Sequence, residues 1–199
     1  MNIRMTLSSL ALTILATLAF QDGPDAAPLD RAVATESEAD LRPITVIALR
    51  HAEKGKDDPR DPGLAEAGTA RAQELRAMLA HAGVTHIFAT NYRRTQDTIA
   101  PLVAATGVDV VAYNPQDITG FAASMARLAP GSVAVVAGHS NTTPDLVKAL
   151  GGQAGDLTSM RGMQVIPEEE YNRLYVLTLP SPEHKIPAPV TTLQLRYGE

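Results

Sequence analysis

Arg50 and His51 stand side by side directly after the apolar run Ile-Thr-Val-Ile-Ala-Leu at residues 44–49. An imidazole can act as a nucleophile toward phosphorus, and a guanidinium is a planar, bidentate clamp for oxyanions. Their position matters as much as their type. A six-residue run rich in β-branched side chains reads as a buried strand. The pair would then emerge at the strand's carboxyl end, where open α/β sheets bind ligands.

Two further polar clusters occupy the equivalent place in the pattern. Thr90-Asn91-Tyr92-Arg93-Arg94 follows the short apolar run at 86–89, and Gly138-His139-Ser140-Asn141 follows the run at 133–137. If the three strands are parallel neighbours, all three clusters meet on one rim of the sheet. These residue types suit phosphoryl transfer, in which charge spreads over three equatorial oxygens and catalysis is mostly positioning and electrostatics. Nearby guanidiniums keep an imidazole neutral and nucleophilic, a second histidine can stabilise transition-state charge once protonated, and the leaving oxygen needs a proton from an acid. Asn141 is a further candidate contact to the phosphoryl group.

The elements that must position these groups alternate along the chain. Helical spacing runs over 64–82, 95–106, 118–128 and 142–150, and strand-like segments over 44–49, 86–89, 108–112, 133–137, 174–179 and 192–197. Strands alternating with helices of about a dozen residues imply βαβ crossovers and a parallel sheet covered on both faces. The last two strands, joined by a Pro-rich segment without a helix, should pair antiparallel at an edge. The expected fold class is α/β, a three-layer α/β/α sandwich with a mostly parallel sheet and an antiparallel edge.

The 199 residues suit one domain, at 45% hydrophobic and 20% charged, an ordinary globular composition. A net charge of −5 and the lack of any Lys/Arg run argue against a nucleic-acid partner. With no cysteine, disulfides and thiolate chemistry are excluded. Arg4 followed by the apolar stretch 7–20 reads as an export signal over residues 1–19. An uncleaved anchoring helix is the alternative, although the stretch is short for a membrane span. Residues 20–42, rich in Asp, Glu, Pro and Ala, read as an exposed linker, and 43–199 as the folded domain. The expected location is periplasmic or secreted, with no stable membrane anchor once the signal is removed.

The motifs Leu49-Arg50-His51-Ala52-Glu53, Leu64-Ala65-Glu66-Ala67-Gly68, Arg93-Arg94-Thr95-Gln96-Asp97-Thr98 and Val136-Ala137-Gly138-His139-Ser140 resemble those of the histidine phosphatase superfamily. That is the phosphoglycerate mutase-like group, branch 1, and the small phosphohistidine-phosphatase type within it. The resemblance covers residues 44–152. It implies that His51 is the phosphorylated nucleophile, Arg50 and Arg94 the phosphate clamps and His139 the second histidine of the pocket. Arg94 is preferred to Arg93 because the family's arginine stands four residues before a threonine, as Arg94 does before Thr98.

Two departures from the family pattern affect the site. Ala52 replaces the usual glycine after the Arg-His pair. The family's acid lies between the second arginine and the second histidine, an interval that here offers only Asp97, Asp109 and Asp117. Asp117 is the candidate proton donor, with a helix N-cap as its competing role. Glu53 is the alternative donor and a candidate substrate contact.

The implied activity is that of a metal-independent phosphoric monoester hydrolase without a cofactor, acting on a phosphorylated small molecule or phosphoprotein. A non-catalytic phosphoryl-ligand binder on a degenerate site is the alternative, and a metal hydrolase using His51 and His139 a third. The acidic run Glu168-Glu169-Glu170, if it walls the pocket, would disfavour highly phosphorylated ligands.

Overall fold

The structure is a computed structural model that describes residues 40–186 and 188–198. The expected signal segment and most of the expected linker lie outside those residues. Asp40 is already tied to the domain: its amide meets Glu183 Oε2 at 2.7 Å and its carbonyl accepts from Ser181 Oγ at 2.8 Å. Among the described residues no helix is long and apolar enough to cross a membrane.

Eight strands and four helices follow one another as β1 (Ile44–Arg50), α1 (Glu66–Leu79), β2 (His86–Ala89), α2 (Arg93–Thr106), β3 (Val110–Ala112), α3 (Ile118–Met125), β4 (Val133–Gly138), α4 (Thr142–Ala149), β5 (Thr158–Met160), β6 (Met163–Val165), β7 (Arg173–Leu179) and β8 (Thr191–Arg196). The main sheet has the order β3-β2-β4-β1-β7-β8. Strands β3, β2, β4 and β1 run parallel, and β7 and β8 complete the sheet antiparallel. The fold is the α/β sandwich with an antiparallel edge that the sequence pattern implies.

Strand alternation explains the layering, because successive side chains point to opposite faces. Val46, Ala48, Ala134 and Val136 pack on one face with Ala122 and Met125 of α3 and Leu146 and Val147 of α4. Ile47, Leu49, Val135 and Ala137 pack on the other with Leu75 and Leu79 of α1 and Ile99 and Leu102 of α2. β1 and β4 are therefore apolar at nearly every position, as strands buried on both faces must be.

The structure departs from the sequence expectations at several element ends, α2 beginning at Arg93 and α3 ending at Met125 among them, and in one added hairpin. α1 is shorter than 64–82, beginning at Glu66 and ending at Leu79. β3 loses Val108 and Asp109. A small hairpin, β5 paired with β6, occupies a stretch with no strand pattern. Its turn places Arg161 at φ 52° and Gly162 at φ 82°, the two left-handed residues that a tight type I′ hairpin requires.

One glycine decides how α1 meets the loop after β1. A Cβ at Gly68 would run into the carbonyl oxygen of Glu53 and lie 3.0 Å from its nitrogen, so only glycine lets the helix lie against that backbone.

Candidate active site

Register brings the two histidines together. Arg50 pairs with Gly138 across the parallel β1–β4 ladder, so the next residues, His51 and His139, leave the sheet side by side. The His51 amide donates to Gly138 O at 2.9 Å, and the two ring centroids stand 5.4 Å apart. A Cβ at Gly138 would sit 2.9 Å from the hydroxyls of Thr142, Thr143 and Tyr113, so a larger residue there would require those side chains to shift. Next to β4 on its other side, β2 pairs Ala89 with Ala137 and so delivers residues 90–94 to the same rim.

His51 is oriented and tautomerically fixed. Its Nδ1 lies 2.8 Å from Ala52 O. A carbonyl only accepts, so Nδ1 carries the proton and Nε2 holds the free lone pair. The ring is buried, and burial pushes its pKa down to about 3, with the charges of Arg50, His139 and Arg94 adding to the effect. A neutral imidazole with a free Nε2 is the form that can attack phosphorus.

His139 is held by a chain of hydroxyls. Its Nε2 is 3.0 Å from Thr90 Oγ1, which is 2.9 Å from Thr95 Oγ1. Thr95 directs its hydroxyl at the carbonyls of Tyr92 (2.7 Å) and Thr90 (2.9 Å). Its single proton is thereby committed, so Thr90 donates to Thr95 and accepts from His139 Nε2–H. Nδ1 is then the acceptor, facing Arg94 Nη2 at 3.5 Å. Burial, and then Arg94 and Arg50, push His139 down to about 4.

The two arginines are locked by different means. Arg50 is 4% exposed. Its Nη1 shares the carbonyls of Pro167 (2.9 Å), Glu168 (2.9 Å) and Glu170 (3.1 Å), and the guanidinium lies 4.1 Å above the Tyr171 ring. Arg94 sits in the first turn of α2, 4.4 Å over Tyr92 and 3.7 Å from Asp61 Oδ1. Arg93 points instead to the loop after β1, pairing with Asp57 at 2.9 Å, and does not line the pocket.

The Arg94-to-Thr98 spacing has a physical meaning. One helical turn on, Thr98 Oγ1 donates to Arg94 O at 2.6 Å and accepts from the Ala52 amide at 2.9 Å. The hydroxyl thus ties the loop after His51 to the helix that carries Arg94. Ala52 itself is fully buried, so its methyl fits where the family pattern has glycine.

These groups open on a cavity of about 810 Å3 lined by Arg50, His51, Arg94, His139 and Asn141. Two other expected site residues are not brought there. Asp117 caps α3, accepting from the Gly120 amide at 3.0 Å, and lines a separate cleft. The expectation that it reaches the phosphoryl site is corrected: its carboxylate satisfies the orphan amides of a helix start. Glu53 forms a bidentate pair with Arg71 at 2.7–3.0 Å, whose Nη1 also holds Tyr197 O at 2.9 Å. Burial works to raise the Glu53 pKa, but Arg71's hydrogen bonds and charge outweigh it and hold the carboxyl low. Glu53 is a strut between the loop and α1, neither a pocket acid nor a pocket contact.

The chain's similarities agree with this geometry. A family model, the histidine phosphatase superfamily (branch 1), matches residues 46–114. That segment carries Arg50, His51 and Arg94. Over those residues the chain is similar to the histidine phosphatase superfamily.

No curated protein sequence matches the chain. Solved structures share the fold. One is the protein histidine phosphatase SixA complexed with tungstate, 15% identical, TM-score 0.56, covering 76% of this chain and 96% of that one. SixA of Agrobacterium tumefaciens is 21% identical with a TM-score of 0.52, covering 68% and 92%. YhfR of Bacillus stearothermophilus is 11% identical with a TM-score of 0.53, covering 67% and 90%. At these identities the likeness is one of fold, and the chain has the histidine phosphatase fold.

Within that fold, the residues that sequence reasoning missed are the ones that hold the pocket groups in place. Thr90 and Tyr92 lie in a cluster already marked by its arginines. Tyr171, under Arg50 and 6.0 Å from His51, comes from a segment without any motif. The Ile166 amide, donating to Ser140 O at 2.8 Å, fastens that segment to the rim.

Proposed function

We propose that this protein is an exported, metal-independent phosphatase that hydrolyses a phosphomonoester through a phosphohistidine on His51. The observation that carries the reading is the His51 geometry: a buried neutral imidazole whose Nδ1–H is spent on Ala52 O, leaving Nε2 with the free lone pair, in a pocket shared with two arginines and a second histidine. The matched family and the tungstate complex of a SixA structure support phosphoryl transfer at such a site.

In the first step Nε2 attacks phosphorus in line, the P–N bond forms and the P–O bond to the leaving group breaks. The Nδ1–H hydrogen bond to Ala52 O stabilises the positive charge that then develops on the ring. Arg50, Arg94 and protonated His139 neutralise the equatorial oxygens. The leaving oxygen takes a proton from an acid in the pocket. Of the pocket's two carboxylates, Asp58 accepts from the amides of Asp61 (3.0 Å) and Arg60 (2.7 Å), which hold it in its ionised form, and Glu168 lies 3.7 Å from Lys54. In the second step water attacks the phosphohistidine, its proton returns to that acid, and phosphate leaves with His51 neutral again.

The basic-then-apolar start of the sequence supports the export part of this reading. Phosphate release from p-nitrophenyl phosphate tests the catalytic reading. Turnover should survive EDTA, be blocked by vanadate and disappear in His51→Ala. Activity that is lost to EDTA or retained in His51→Ala would overturn it.

A further inference from the structure

From the charges around the cavity we infer that the substrate carries a second anionic group, a carboxylate or a further phosphate, at the end remote from the reacting phosphoryl, met by Lys56 and Arg60. This deepens the phosphatase reading and rests on it for the chemistry at the near end.

Charge is unevenly spread over the molecule. The whole chain carries −5, yet the cavity is lined by five cationic side chains, Arg50, Lys54, Lys56, Arg60 and Arg94, against two carboxylates, Asp58 and Glu168. Three of those cations are accounted for. Arg50 is bound by main-chain carbonyls, Arg94 lies by Asp61 and Lys54 pairs with Glu168 at 3.7 Å. Lys56 and Arg60 have no carboxylate within ion-pair distance among the described residues.

The loop that carries them explains why. Residues 52–63 contain three aspartates, each engaged in holding the loop's shape or in tying it to α2. Asp57 accepts from the Gly63 amide at 3.1 Å and pairs with Arg93. Asp58 accepts the amides of Arg60 and Asp61, and Asp61 accepts the Arg93 amide at 3.0 Å. The Gly55 amide bonds Gly63 O at 2.8 Å, and Lys54 bridges to Leu64. The acids thus build the loop, and the uncompensated cations of the same loop line the cavity. Of the acidic run 168–170 only Glu168 reaches the cavity. Glu170 turns away to Arg173 and Arg196, so the acidic wall that the sequence suggests does not form.

The cavity, at about 810 Å3, is far larger than one phosphoryl group requires. Two unpaired cations in a concave site raise the local concentration of anions and discriminate by charge.

The test compares phenyl phosphate with 4-carboxyphenyl phosphate, which differ by one remote anion. The protein should favour the carboxylate by about tenfold in kcat/KM at low salt, a ratio in keeping with two partly exposed ion pairs. The ratio should approach one in Lys56→Gln/Arg60→Gln and shrink as ionic strength rises. A binding arm uses His51→Ala and calorimetry on the same two compounds. If the wild type turns over neither compound but this arm keeps the preference, and the two glutamines added to it remove it, the phosphatase reading fails and the anion site stands. Equal rates and equal affinities for the two, a preference that survives the double substitution, or faster turnover of a phosphohistidine peptide than of either compound would overturn the proposal.

Discussion

At the scale of single residues, the site depends on two imidazoles held uncharged in the free protein. His51 is pushed to about 3 and His139 to about 4, from an ordinary 6.5, by burial first and by neighbouring charge second. A phosphoryl dianion would work against both shifts by favouring the charged forms. In the free protein the sign of the linkage is definite. Both groups bind fewer protons folded than unfolded, so their contribution to stability is complete above pH 6.5 and is lost as pH falls from 6.5 toward 3–4. Each histidine can contribute a slope of at most about 1.4 kcal/mol per pH unit. Urea unfolding at a series of pH values should show this loss, with a shallower slope in His139→Ala. An unchanged slope would contradict the assignment, as would an imidazole NMR titration of either ring with a midpoint near 6.5.

At the scale of elements, the expected acids turn out to hold secondary structure together. Asp117→Ala removes a helix N-cap and should cost about 1 kcal/mol of stability while leaving kcat near the wild-type value. Glu53→Gln weakens a half-buried bidentate pair and should cost about 2 kcal/mol, again without the hundredfold fall in kcat expected for loss of a general acid. Thermal unfolding and steady-state rates on the same samples decide both; a large kcat loss with unchanged stability would restore either residue to the chemistry.

The same scale shows what the chain's pattern can convey. Apolar runs at 44–49 and 133–137 announce doubly buried strands, and the polar residues after them announce the rim. Nothing in the sequence states that Arg50 pairs with Gly138, yet that register is what sets His51 beside His139. Asp117 illustrates a real ambiguity, since a carboxylate that opens a helix reads equally as a cap or as an acid. The β5–β6 hairpin is illegible in the sequence because its strands have three residues each, mostly exposed, and its turn uses Arg161 where Asn or Asp would have signalled. Tyr171 and the carbonyls that grip Arg50 follow that hairpin and are hidden with it.

At the scale of the molecule, an acidic protein concentrates cations around one cavity while packing neutral histidines beneath it. The sheet supplies the rim, the helices pack on both of its faces, and the loops at 52–63 and 166–171 close its sides. We assign this arrangement one purpose, which is to let His51 Nε2 carry a phosphoryl group. The direct measurement is a rapid acid-free quench of the protein with a phosphomonoester, followed by peptide mass spectrometry. An acid-labile, base-stable phosphoryl group is expected on the peptide containing His51, absent in His51→Ala. Turnover without any phosphorylated His51, or a phosphoryl group found on another residue, would contradict that role.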